Sequence, residues 1–253
     1  MEGFSFDSLH ACYKLESVYT VQSKEYYQSV YSSHIDIQAN IDEKDGNYNF
    51  IITRSNVLLN GKPVSKLMDR IMYEIGNSLY PLVIKASNRS EIIDILNFDE
   101  IKVRWTKCGN YFIKKYPSYQ LDHYIRMSEK NLISKEDFII SLYQDTFTNI
   151  YFRNIYTPPG KNEAGLIKWQ NFPEKEMNQS YLYQMETTDE GKILLSGEIM
   201  QIVPEHNGTF NMEYETGKYG EILHTTGKVE STYKGKLYLK EIILDAETIS
   251  TKR

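Results

Sequence analysis

Ile35-Asp36-Ile37-Gln38-Ala39-Asn40-Ile41 alternates apolar and polar side chains at every step. A period of two gathers the apolar groups on one side of an extended chain and leaves the other side wet. Glu43-Lys44-Asp45-Gly46-Asn47 follows as a turn, with Gly46 free to take a positive φ. Tyr48-Asn49-Phe50-Ile51-Ile52-Thr53 then returns, so the stretch reads as an antiparallel hairpin. Strand is predicted from about Ser17 to Leu59, with a break at Asn60-Gly61.

Beyond Pro63 the period changes. Val64, Leu67, Met68, Ile71, Ile75 and Leu79 form one apolar stripe of a helix, with Pro63 in its first turn. A second hairpin is expected from Leu82–Ala86 and Ile92–Leu96 around the polar turn 87–90. Asn97 is the expected cap of a helix carrying Ile101, Trp105, Cys108 and Phe112 on one face, ended by Pro117. A shorter helix follows over Tyr119–Lys130. Ser134-Lys135-Glu136-Asp137 resembles a capping box, and Ile139, Leu142, Tyr143, Thr146, Phe147 and Ile150 mark one further amphipathic helix.

The proline- and glycine-rich stretch 157–165 reads as a linker between an α+β subdomain, 1–156, and a β-meander subdomain, 166–253. Six strands are expected in the second part: Tyr181–Thr187, Lys192–Val203, Thr209–Glu215, Tyr219–Thr225, Gly227–Tyr233 and Leu237–Asp245. Pro81–Ile95 and Phe210–Leu223 share a strand–turn–strand pattern, which two hairpins can also reach by chance; a duplication would predict two related β-layers with the long helices inserted in the first. The fold class is therefore α+β: predominantly antiparallel sheets, meander or half-barrel-like, with amphipathic helices inserted in the N-terminal half.

The 253 residues suffice for a large core, and 41% hydrophobic with 25% charged residues is globular composition. A net charge of −5 speaks against general nucleic-acid binding, which needs a cationic face. Met1–Asp7 lacks the basic start and apolar run of a signal peptide, and no apolar stretch reaches a membrane span. The expectation is a cytoplasmic protein, or an exported one if an N-terminal signal has been trimmed. The 21 tyrosines suit either half-buried strands or a binding surface.

Motifs for chemistry are few. His10-Ala11-Cys12 and His34-Ile35-Asp36 each put two ligand types on one side of a strand, but neither brings a third, so no metal site or cofactor is expected. No GxSxG elbow, HExxH pair or helix-opening phosphate loop occurs, so no catalytic residue is assigned. Trp105, Phe112, Trp169 and Phe172 remain as candidate ligand-binding aromatics. The order of strands, helix, hairpin and covering helices resembles carrier proteins that hold lipid in a half-barrel beneath helices. That resemblance implies an apolar cavity between the sheet and the segments Phe98–Tyr116 and Lys135–Tyr151. The leading expectation is a non-enzymatic binding module that meets a protein partner, or a second copy, through open sheet edges. An apolar-ligand carrier is the alternative, and an enzyme with a dispersed site around Asp122 or His123 is the third.

Overall fold

The computed structural model describes residues 3–23, 25–156, 163–169, 179–188, 191–200 and 206–252. The period-two segments form β1 (Ser8–Gln22), β2 (Tyr26–Ile41) and β3 (Tyr48–Leu59), paired antiparallel in that order. Ile37 lies opposite Ala11 on one side and Ile52 on the other, and all three are buried. Ile51, one step out of phase, is 41% exposed. Strand β1 starts well before the expected Ser17. Its inward residues Leu9, Ala11 and Tyr13 alternate with His10 and Cys12, a contrast too weak to read as strand from sequence.

Pro63 does not open a helix. Asn60 (φ 52) and Gly61 (φ 71) make a two-residue turn that lays β4 (Lys62–Pro63) against Leu58–Leu59. Helix α1 (Leu67–Asn77) begins after Lys66 and buries Ile71 and Ile75. The second hairpin is β5 (Leu82–Ala86) with β6 (Ile92–Ile95). Asn97 precedes α2 (Phe98–Lys115) but does not cap it with its side chain. Its Oδ1 instead accepts from Val83 N–H at 3.0 Å and its Nδ2 donates to the Pro81 carbonyl at 2.8 Å, fastening the helix start to β5.

Helix α3 (Tyr119–Glu129) follows Pro117. The apolar run beyond it is two helices rather than one: α4 (Lys135–Leu142) and α5 (Thr146–Tyr151). Ser134 caps α4 by accepting from Asp137 N–H at 3.1 Å. Asp145 caps α5 by accepting from Thr148 N–H at 3.0 Å. A free cap oxygen at Asp145 offers the backbone a better partner than continued helix would, and it breaks the run there.

The second half holds β7 (Glu163–Trp169), β8 (Gln179–Thr187), β9 (Ile193–Ile199), β10 (Asn207–Thr216), β11 (Ile222–Tyr233) and β12 (Lys236–Lys252). Of the expected linker, 157–162 lie outside the described residues, and Glu163 already belongs to β7. The two strands expected on either side of Thr226 are the single strand β11. Gly227 stays in its ladder opposite Met212 and Ile242, and a Cβ there would come within 2.7 Å of Met212 Cε. Glycine makes room for the methionine rather than ending the strand.

All these strands join one antiparallel sheet in the order β6-β5-β3-β2-β1-β12-β11-β10-β9-β8-β7, with β4 beside β3. The chain starts in the middle of the sheet, meanders out to β6, passes through the helices to the far edge at β7, and meanders back. Its last strand pairs with its first along nearly their whole length. Antiparallel α+β architecture is thus established.

Aromatic side chains fill the centre. Tyr151 of α5 lies 5.6 Å from Tyr13, 6.1 Å from Phe50 and 5.2 Å from Phe147, ring centre to ring centre. Buried tyrosines need a partner for their hydroxyls, and for several of them a backbone carbonyl provides it, while the hydroxyls of Tyr151 and Tyr181 are buried with none among the described residues. Tyr13 donates to Ile222, Tyr48 to Phe4 and Tyr156 to Gly220, at 2.9, 3.1 and 2.6 Å. Among the described residues, no helix is long and apolar enough to cross a membrane.

A chamber between the sheet and the α4–α5 break

The inward face of the sheet changes character along β1 and β2. Near one end it carries Leu9, Ala11, Tyr13, Ile35 and Ile37, all buried and nearly all aliphatic. Toward the other end the same phase presents Ser17 and Tyr19 on β1 and Tyr27, Ser29, Tyr31 and Ser33 on β2. β3 contributes Arg54 in phase with Phe50 and Ile52, and β12 contributes Lys240 in phase with Tyr238 and Ile242.

Here the helices do not fill the space. A cavity of about 600 Å³ lies between Leu15, Ser17, Tyr19, Tyr27, Ser29, Tyr31, Arg54 and Lys240 on the sheet and Gln144, Asp145 and Thr146 at the α4–α5 break. That size is ordinary for a small-molecule site. Leu15 and three tyrosine rings give it apolar walls, and Tyr27, 57% exposed, stands toward solvent.

The charges are two cations and one carboxylate. Lys240 is only 7% exposed, and its Nζ donates to Thr146 Oγ1 at 2.8 Å. Burial pulls its ammonium down to about 8, against the opposing pull of Asp145. The Arg54 guanidinium lies 4.8 Å from the centre of the Tyr80 ring. Burial disfavours its charge, but Tyr80, Tyr31 and Asp145 outweigh that and hold its pKa above the ordinary value. Its Nε is buried with no hydrogen-bond partner among the described residues. Burial also raises the hydroxyls of Tyr31 and Tyr80. An arginine in this setting has donors to offer a carboxylate, sulfate or phosphate group.

The aromatics singled out from sequence lie elsewhere. Trp105 and Phe112 share the buried face of α2, and Phe112 borders a 260 Å³ crevice against Leu67, Ile71 and Glu74 of α1. Trp169 is buried in β7 against Phe210, with ring centres 5.5 Å apart. Phe172 lies outside the described residues. Asp122 is engaged by Arg126 at 2.7 Å, and His123 stacks on Tyr119. None of these residues lines the chamber. The residues of β2 that do were legible in principle, since Tyr27, Ser29 and Tyr31 keep the inward phase of Ile35 while carrying hydroxyls. A second depression, of 680 Å³, lies on the other side of the sheet around Val18, Leu194, Thr226 and Lys228. All its lining comes from the sheet, so no second layer encloses it.

No protein-family model and no curated protein matches the sequence. Among solved structures, the chain is similar to one described as lipid–protein interactions in lipovitellin, with a TM-score of 0.50 and 8% identity. The match covers 99% of this chain and 26% of that one, so the chain spans about a quarter of the protein whose fold it shares. A LolA superfamily protein from Nitrosomonas europaea aligns over 100% of this chain and 89% of its own at 11% identity, with a TM-score of 0.20. That score is too low to support an argument.

Proposed function

From the chamber we propose that this protein binds and carries an amphipathic, lipid-like molecule with an anionic head. The observation that carries the reading is the placement of Lys240, buried, and Arg54, half-buried with its Nε fully covered, in an apolar-walled cavity between sheet and helices. Burying a cation is unfavourable unless something compensates its charge. Asp145 faces both cations, and the Arg54 Nε, buried with no hydrogen-bond partner among the described residues, is the donor that a bound anion would satisfy. The shared fold with part of lipovitellin, a protein described for its lipid–protein interactions, supports the same reading.

The test is saturable binding of a fluorescent long-chain fatty acid to the purified chain, compared with its methyl ester. The acid should bind at one site and be displaced by unlabelled acid, and the ester should bind more weakly. Equal binding of acid and ester, or binding that does not saturate, would refute the reading.

The interaction-module reading keeps one supporting feature: β6 and β7 are the edges of the sheet. Its test is whether the chain self-associates in sedimentation, and whether a proline introduced into β7 abolishes that association.

A further inference from the structure

On the face of the sheet turned away from the helices, Cys12, His34 and Glu247 converge from three adjacent strands, β1, β2 and β12. We infer that they form a binding site for a zinc-class divalent cation, with a fourth position open to solvent.

The geometry is close to what a tetrahedral ion requires. Bond lengths of about 2.0–2.3 Å to nitrogen, oxygen and sulfur place tetrahedral ligands roughly 3.3–3.7 Å apart. His34 Nδ1 lies 3.2 Å from Glu247 Oε2, and Cys12 Sγ lies 3.7 Å from the same oxygen. All three ligand atoms fall within 4.8 Å of one another, so a side-chain adjustment of about 1 Å closes the set. Thiolate, imidazole and carboxylate together suit zinc better than the oxygen-seeking calcium or magnesium.

Two irregularities in the ladder adjoin this convergence. In β12 the register jumps from Thr248 opposite Cys12 to Ala246 opposite Tyr13, so Glu247 is the extra residue of a bulge. The second break falls in the β2–β3 pair between Ser32 and His34, where β3 carries Asn56 at φ 50. Bulges re-aim side chains, and here each of the two adjoins a ligand.

The surroundings fit as well. Asp36, directly opposite Cys12, is held by His10 Nε2 at 2.9 Å. A second carboxylate and imidazole thus stand at ladder positions next to the three ligands. The sequence shows His10–Cys12 and His34–Asp36 as two-ligand pairs, and the pairing of β1 with β2 and β12 adds the third.

The probe is Co²⁺ added to the purified chain, with Zn²⁺ as competitor. Thiolate-to-cobalt charge-transfer absorption should appear at one ion per chain and vanish when Zn²⁺ displaces it. Cys12→Ser should abolish that band while Cys108→Ser leaves it. His34→Gln, which leaves the thiol in place, should weaken Zn²⁺ affinity by more than about ten-fold, the least that even an outer-shell loss costs. Circular dichroism of each variant establishes that it is folded. Absence of the band in the natural sequence overturns the proposal, as does its persistence in folded Cys12→Ser or an unchanged affinity in folded His34→Gln.

Discussion

Lys240 Nζ donates a hydrogen bond to Thr146 Oγ1 at 2.8 Å, joining the central strand β12 to the first turn of α5 across the chamber. The contact holds an ammonium in a place where burial pulls its pKa from 10.5 to about 8. A lysine whose folded pKa is depressed destabilises the fold wherever it must stay protonated. The unfolded chain binds more protons than the native one between about pH 8 and 10.5, so this group's contribution improves as pH rises through that window.

Lys240→Met should therefore stabilise the protein at pH 7. The shift corresponds to an upper limit of about 3 kcal/mol, from which loss of the Thr146 bond subtracts roughly 1 kcal/mol. Urea unfolding at pH 7 and pH 10 measures it. The advantage of the variant should shrink at the higher pH, where the natural lysine is already neutral. A gap that stays constant between the two would place the cost elsewhere than in the lysine's charge.

The same titration should govern ligand binding. An anionic head needs Lys240 protonated, so affinity for a fatty-acid probe should fall as pH rises above about 8, while affinity for its methyl ester stays level. Arg54→Met should weaken the acid by about 1.5–3 kcal/mol, or roughly ten- to a hundred-fold, since charge-assisted hydrogen bonds are lost. Fluorescence titration of both probes across pH separates the charge from the apolar wall.

Phase along β2 and β3 makes a sharper claim about stability. Ile37 is fully buried and Ile51 is 41% exposed, although the two lie in one hairpin and have the same side chain. Ile37→Ala should cost about 2–5 kcal/mol through lost burial and a residual cavity, and Ile51→Ala under about 1 kcal/mol. Comparable losses in denaturant midpoints would show that the sheet does not have one covered face.

That phase was the part of the fold most legible in the sequence. Strict alternation in Ile35–Ile41 and its return through Tyr48–Thr53 fixed a hairpin whose inward residues are buried. Pairing of β1 with β12 was not legible, because they are separated by nearly the entire chain and no local pattern encodes a contact of that range. Both candidate sites depend on that pairing. It sets Lys240 beside Tyr19 on one face and Glu247 beside Cys12 on the other. The chamber was also hidden because its rim is a helix break, and the apolar spacing from Ile139 to Ile150 runs across that break unaltered. Large aromatics drew attention as binding candidates for their size, yet Trp105 and Trp169 are buried in the core, where size serves packing.

Asp145 has two roles that one substitution can separate. Its Oδ1 caps α5 by accepting from Thr148 N–H at 3.0 Å, and its charge counters the burial of Lys240. Asparagine caps a helix about as well as aspartate, so Asp145→Asn should change stability by only a few tenths of a kcal/mol through the helix. The charge effect remains: with the carboxylate gone, the Lys240 pKa should drop further below 8, and the pH at which the fatty-acid probe loses affinity should move down with it. Asp145→Ala should show the same move and in addition lose about 0.5–2 kcal/mol from the missing cap. If the midpoint stays in place in both variants while only the alanine is destabilised, Asp145 serves the helix alone, and the electrostatic coupling across the chamber is absent.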